Sequence, residues 1–197
     1  KKQEGNYSDL YFKYGLNYDL RNSKYMTSSG NRTIFYQELP LVSDGNEILN
    51  SISFDQFQKL SKNSDMVGKA SFYFKAINSV DSDKDVRVSK RANVPYSRLR
   101  GFERGKIGPV DNKDYVGGNY VSSMNLSSNL PFILPTLENV DFNFFIDAAN
   151  VWGVDYDDNL DDSGSIRSST GVGMNLLTPV GPFSLSLSEP LTKKSTD

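Results

Sequence analysis

Strict alternation of apolar and polar residues is the feature of this sequence that most limits its fold. From Leu10 to Leu20 every second residue is apolar, and most residues between them are polar. The pattern recurs in other segments, clearly in 68–78, 139–149 and 181–190, and more weakly in 31–42, 47–60, 117–130 and 166–178. A period of two residues indicates strands, because successive side chains of a strand point to opposite faces of a sheet. We therefore predict an all-β fold of about eight antiparallel strands.

The lengths of the strands and of their connections favour a membrane barrel. Segments of about ten residues exceed the roughly five or six typical of soluble sheets and match a tilted strand that crosses a bilayer. Short links near 22–30, 61–65, 132–137 and 179–181 alternate with links near 43–46, 79–116 and 152–165, two of which are long. Short turns at one end and long loops at the other are typical of outer-membrane barrels. A soluble ligand-binding barrel with its apolar face inward is the alternative.

The composition removes most enzyme chemistries. The 197 residues include no His and no Cys, which excludes a Ser-His-Asp triad, a Cys nucleophile and zinc sites built on these residues. The net charge of −2 provides no basic field for nucleic acid. The acidic segment 155–162 does not fit the EF-hand calcium loop, because Leu160 stands where that loop needs glycine. We expect no enzyme activity, no cofactor, no metal and no nucleic-acid partner.

One motif in the long connection 79–116 suggests a family. The motif Leu99-Arg100-Gly101-Phe102 is followed by Ile107-Gly108-Pro109 and then by a strand that opens with Gly117 and Gly118. This order resembles the signature of the BamA-type outer-membrane assembly factor family, also called the bacterial surface antigen family. In that family a loop with this motif folds back into the lumen of the barrel.

Four further segments agree with the family in order and spacing. The segment from Asp19 to Gly30 is similar to a periplasmic turn of the family, with Met26 in place of its usual proline. The segment 144–152 resembles a strand of the family, with Ala149 at a usual glycine. The segment 166–173 and the turn after it resemble a hairpin of the family that carries Gly171, Gly173, Pro179, Gly181 and Pro182. The segment 189–191 is similar to the end of a strand.

The resemblance implies a location, a function and partners. Residues 1–197 are expected to be the C-terminal half of a sixteen-stranded barrel, strands eight to fifteen, without the POTRA modules, the first strands and the last strand. Such a fragment is expected to form a partial, open barrel in the bacterial outer membrane. The implied function is the folding and insertion of β-barrel precursors, with precursors, assembly-complex lipoproteins and membrane lipids as partners. A two-partner secretion pore or a TamA-like factor is the related alternative.

The motif arginine needs a partner if the loop enters the lumen. A guanidinium in a poorly hydrated cavity is costly unless it is paired. Asp147 alternates with Phe144 and Ile146 and therefore points inward, and the resemblance implies the same Arg100–Asp147 contact. A second acid of the family has Ser127 at its place in this chain. Phe102 is expected to pack beside Gly171 and Gly173, or beside Gly117 and Gly118.

Overall fold

The computed structural model describes residues 5–133, 136, 139–160, 162 and 164–194. Its strands are β1 Asp9–Asp19, β2 Gly30–Ser43, β3 Glu47–Lys59, β4 Val67–Ser79, β5 Val110–Asp111, β6 Asp114–Tyr115, β7 Tyr120–Asn129, β8 Val140–Trp152, β9 Arg167–Thr178 and β10 Gly181–Thr192. Short 3-10 helices cover Val88–Lys90, Tyr96–Arg98 and Asp158–Leu160. In the described part of the chain, no helix is both long enough and apolar enough to span a membrane.

Eight of these strands form one antiparallel sheet. Their order is β1-β2-β3-β4-β7-β8-β9-β10, so each strand of the sheet pairs with the next one along the chain. The small β5–β6 hairpin lies between β4 and β7 in sequence and forms a separate two-stranded sheet. The sheet is open, with β1 and β10 at its edges. The prediction of an all-β, antiparallel fold present as a partial barrel is confirmed. The long connection is 80–119, and it contains the β5–β6 hairpin.

The two faces of the sheet differ in chemistry. One face carries Phe72, Phe144 and Leu185, which are 45%, 43% and 54% exposed. The register places Phe54, Phe72 and Met124 side by side on three neighbouring strands of this face. We call it the bare face. A soluble barrel would bury these side chains in a dry interior, so their position contradicts the soluble alternative and fits contact with acyl chains.

The connection 80–119 covers part of the opposite face, which we call the loop-bearing face. Its apolar residues pack against apolar strand residues near the long-connection end of the sheet. The resulting core combines loop residues with strand residues: Val86, Ala92, Val94, Leu99, Ile107, Ile77, Val121, Ala149 and Val151. Elsewhere the loop-bearing face is polar, with Ser71, Ser123 and Asp147 buried on three adjacent strands. The apolar core therefore fixes the position of the loop over a polar wall.

Candidate functional site

The motif is held in place by the residues on either side of it. Leu99 is buried in the apolar core between loop and sheet, and Ile107 joins the same core after the motif. The loop is closed by a pair of backbone hydrogen bonds between Ala92 and Gly118. Between these fixed points Gly101 has φ +88°, a left-handed conformation that favours glycine. Arg100 is thereby directed towards the sheet.

Arg100 binds Asp147 through a two-pronged ion pair. The Nε atom donates to Oδ2 at 2.7 Å, and Nη2 donates to Oδ1 at 2.8 Å. The backbone N–H of Arg100 also donates to Oδ2, at 3.2 Å. The side chain of Asp147 is fully buried and that of Arg100 is 21% exposed. The contact expected between these residues is present, with the parallel geometry that makes arginine–carboxylate pairs strong.

Asn125 completes the carboxylate site from the preceding strand. Its register partner on β8 is Asp147, and its Nδ2 atom donates to Oδ1 of Asp147 at 2.9 Å. The same amide group donates to the backbone oxygen of Arg98 at 2.7 Å. The expectation that Ser127 occupies this place is wrong, because Ser127 lies across from Phe145, two residues from the carboxylate. The residue beside Asp147 on the preceding strand is therefore an uncharged amide, Asn125, in place of a second acid.

Phe145 supplies an aromatic surface for the motif arginine. The guanidinium carbon of Arg100 lies 3.3 Å from the centroid of the Phe145 ring, and Phe145 is fully buried. An aromatic face attracts a guanidinium, and the attraction grows when water is excluded. Sequence reasoning missed this residue. The signal was that Phe145 interrupts the polar face of its strand, between Asn143 and Asp147.

The glycines of β9 lie close to Phe145, to Asn143 and to the backbone of β10. A Cβ atom on Gly171 would lie 2.7 Å from the Phe145 ring and would collide with the backbone oxygen of Leu187. A Cβ atom on Gly173 would lie 2.8 Å from Oδ1 of Asn143. Phe102 packs at the edge of the apolar core. Phe145 fills the space over Gly171, and the packing of Phe102 beside these glycines stays a prediction.

The remaining glycines and prolines of the sequence prediction shape the backbone. Gly117 has φ +67° where the loop re-enters the sheet, and a Cβ on Gly118 would strike the backbone of Trp152. The nearest atoms to this pair belong to Arg91, Ala92 and Trp152. Pro179, Gly181 and Pro182 form the tight turn between β9 and β10, in which Gly181 has φ +133°. These positions shape turns and close approaches of the backbone.

A second ion pair fixes the start of the loop and was missed from sequence. Arg87 donates from Nε to Oε1 of Glu47 at 2.6 Å and from Nη2 to Oε2 at 2.8 Å. Its Nη2 atom also donates to Oδ2 of Asp9 on β1 at 2.8 Å. The hydrogen bonds that Arg87 donates to the Glu47 carboxylate raise the pKa of Arg87 above its ordinary value, although burial alone lowers it. The loop is thereby tied to the ends of β1 and β3.

Acidic residues near the loops bind arginine rather than gather as a metal site. Asp155 accepts from Arg91, and Asp162 accepts from Arg167. In the residues that the structure describes, no group of three or more metal-ligating side chains is present. What this arrangement can do chemically is to hold a loop against a sheet.

An eight-stranded antiparallel sheet with an apolar bare face and a loop pinned across its polar face defines a segment of an outer-membrane barrel. The family described as the Omp85 superfamily domain matches residues 1–197, so the chain belongs to this superfamily.

Two relatives and one solved structure are similar to the chain. The outer membrane protein assembly factor BamA of Neisseria meningitidis serogroup B is 30% identical over 50% of this chain and 16% of that protein. The protein of the same name from Neorickettsia risticii is 29% identical over 51% of this chain and 14% of that protein. The crystal structure of BamA from Haemophilus ducreyi lacking POTRA domains 1–3 matches with a TM-score of 0.84 and 26% identity, covering 95% of this chain and 40% of that one. The chain thus spans well under half of the relatives it matches.

Proposed function

We propose that this chain is part of the barrel of a factor that folds and inserts β-barrel precursors into the outer membrane. Its Omp85 membership and its similarity to two proteins named as outer membrane protein assembly factors support the proposal. Its location is the bacterial outer membrane. Residues 1–197 serve as the C-terminal half of the barrel, with the loop 79–116 inside the lumen.

The observation that carries this proposal is the loop held across the polar face of the sheet by the Arg100–Asp147 pair. In a closed barrel the loop-bearing face is the inner wall, since the bare face is apolar. A barrel that must strain or open at a seam needs the rest of its wall to stay rigid, and the loop held by this ion pair supplies that rigidity.

The chemistry of insertion is strand pairing and forms no covalent bond. Unpaired N–H and C=O groups cannot be left in the hydrocarbon of a bilayer, so an exposed strand edge favours pairing with an incoming strand. In the family that the sequence resembles, the pairing seam lies between the first and last strands of the barrel. The residues of the candidate site therefore act as supports, and the protein is not an enzyme. Its partners are unfolded precursors, lipoproteins of the assembly complex, and membrane lipids against the bare face.

The test replaces the motif arginine in the full-length protein, purified and reconstituted in lipid vesicles. Arg100→Ala leaves Asp147 buried without its partner, a change that typically costs about 3–5 kcal/mol. If a third of that cost raises the barrier to insertion, the folding rate of an added barrel precursor falls about tenfold. Arg104→Ala is the matched control, because Arg104 is exposed in the same loop.

The rate is measured as the fraction of precursor that reaches the folded, protease-resistant form. Equal rates for Arg100→Ala, Arg104→Ala and the unmodified protein would contradict the proposal. Delivery of the added polypeptide into the vesicle interior, without insertion into the membrane, would instead assign the chain to the related two-partner secretion or TamA-like pores.

A further inference from the structure

The connection between β8 and β9 binds the long loop through contacts that are separate from the Leu99–Phe102 motif. Asp155 accepts a hydrogen bond at Oδ1 from Nη2 of Arg91 at 3.0 Å. Its Oδ2 atom accepts from the backbone N–H of Val86 at 2.6 Å. Both carboxylate oxygens of Asp155 therefore bind the first part of the loop, and neither contact involves Arg100 or Asp147.

Tyr156 extends the same contact to the β5–β6 hairpin. Its ring lies 4.6 Å from the guanidinium carbon of Arg91, and its hydroxyl group donates to Oδ2 of Asp111 at 3.0 Å. Asp111 belongs to β5, near the far end of the loop. Asp155 and Tyr156 of the β8–β9 connection therefore contact the long loop at two places. We call residues 86–91 its first limb and the segment around Asp111 its second limb. We call the contacts of Asp155 and Tyr156 with Val86, Arg91 and Asp111 the latch.

The guanidinium of Arg91 in the latch makes only some of the hydrogen bonds that it could donate. The side chain of Arg91 is fully buried, yet its Nε and Nη1 atoms have no hydrogen-bond partner, while Nη2 also donates to the backbone oxygen of Val86 at 3.1 Å. The side chain of Asp155, which balances its charge, is 27% exposed. A buried charge that loses its single counter-ion is strongly destabilising. The closed loop therefore depends on a carboxylate that solvent can reach.

The latch and the motif pair hold different parts of the loop. The motif pair fixes residue 100 to the middle of β8, whereas the latch fixes residues 86–91 and 111 to the connection that follows β8. The latch lies at the end of the sheet with the long connections, which faces outward in barrels of this type. The two anchors can therefore be released separately.

We propose that Asp155 is a positioning residue that keeps the first limb of the loop closed over the sheet, and that its release opens this limb while the motif arginine stays on β8. Its bearing on precursor insertion rests on the proposed function. The opening itself is a property of this chain that needs no precursor to be observed.

The test compares Asp155→Asn with Asp155→Glu and with Asp158→Asn in the full-length protein. Asp158 is an exposed acid of the same connection and serves as the matched control. The readout is the rate of trypsin cleavage after Arg91, a bond that is buried in the closed loop. We expect Asp155→Asn to raise this rate at least about tenfold, because a protease cuts the opened population. Asp155→Glu, which keeps the charge, should restore most of the protection, and Asp158→Asn should match the unmodified protein.

A disulfide provides the second arm. The chain has no cysteine, so Val86→Cys with Asp155→Cys introduces one pair at the place where the backbone of Val86 meets Asp155. The oxidised form should resist cleavage after Arg91, and reduction should expose it. Equal cleavage in the oxidised and reduced forms, or equal cleavage in Asp155→Asn and Asp158→Asn, would overturn the latch.

The insertion assay is run on the same variants. Slower precursor insertion by Asp155→Asn, restored in Asp155→Glu, is the expected result. Unchanged insertion despite faster cleavage would overturn the positioning role. If Arg100→Ala also left insertion unchanged, the proposed function would fail, while the cleavage rates would still report the latch.

Discussion

Phe145 and Asp147 lie two residues apart on β8 and hold the same guanidinium, one by its ring and the other by its carboxylate. The Phe145 centroid is 3.3 Å from the guanidinium carbon of Arg100, and the nearest carboxylate oxygen of Asp147 is 2.7 Å from its Nε atom. Because alternate residues of a strand share a face, one strand supplies both contacts without any change in the backbone. The ring also shields the pair from water, which strengthens the attraction.

Phe145→Leu should weaken the Arg100 site more than the same substitution at the neighbouring Phe144 does. Loss of the ring removes the contact with Arg100 and leaves space over Gly171, which together cost about 1–3 kcal/mol. Phe144→Leu is the control, because Phe144 lies on the bare face of the same strand. The measurement is the temperature at which the folded barrel loses its compact form on a gel, together with trypsin cleavage after Arg100. Equal effects of the two variants would contradict a role for the ring.

Gly171→Ala should separate β9 from β10. An added Cβ atom would meet the backbone oxygen of Leu187 and lie 2.7 Å from the Phe145 ring, so both the strand pair and the arginine site must shift. Overpacking of this kind costs about 1–3 kcal/mol. In Gly164→Ala nothing lies within 4 Å of the new atom, and the effect should stay within about 0.5 kcal/mol. Chemical unfolding of both variants checks the difference, and a neutral Gly171→Ala would show that the strands can adjust freely.

The features that could be predicted from sequence are those encoded in neighbouring residues. The eight strands follow from alternation, and the inward direction of Asp147 follows from its place opposite Phe144 and Ile146. The long connection was recognisable because no strand pattern interrupts it.

The features that were missed depend on how distant segments meet. Asn125 rather than Ser127 adjoins Asp147 because the β7–β8 register sets the pairing, and a shift of two residues moves this partner. Arg87 finds Glu47 across 40 residues of sequence, and Arg91 finds Asp155 across 64. The two residues of each pair lie in distant segments of the sequence. Neither composition nor hydrophobic periodicity can therefore predict these pairs.

Glu47→Gln should destabilise the barrel far more than a surface substitution of the same kind. Glu47 is 2% exposed and binds Arg87 with both oxygens, so the neutral amide leaves a buried guanidinium with a weaker partner on that side, at a cost of about 3 kcal/mol. Asp81→Asn breaks the partly exposed Asp81–Lys84 pair, whose contribution solvent screening keeps small.

Thermal unfolding of the two variants gives the comparison, and cleavage after Arg87 reports whether the loop start is freed. A Glu47→Gln protein as stable as Asp81→Asn would show that Asp9 alone can hold Arg87.

The ionised carboxylate of Asp162 should stabilise the folded barrel at neutral pH, and this stabilisation should be lost in acid. Burial alone raises the pKa of Asp162, but hydrogen bonds from Lys194, Ser165 and Arg167 outweigh this effect and leave the pKa below its ordinary value of 3.8. A lowered pKa in the folded state means that the stabilisation is fully present above pH 3.8 and is lost as the pH falls through the folded pKa. Asp162→Asn cannot bind this proton and removes this stabilisation at every pH.

The measurement is the unfolding temperature of both proteins at a series of pH values from neutral down to about pH 2. The unmodified barrel should be the more stable of the two at neutral pH, and the difference should shrink only below pH 3.8, because other carboxylates titrate equally in both proteins. Asp158→Asn keeps the Asp162 carboxylate and should follow the unmodified curve. A difference between Asp162→Asn and the unmodified protein that stays constant across the series would mean that Arg167 and Lys194 do not hold the ionised form of Asp162.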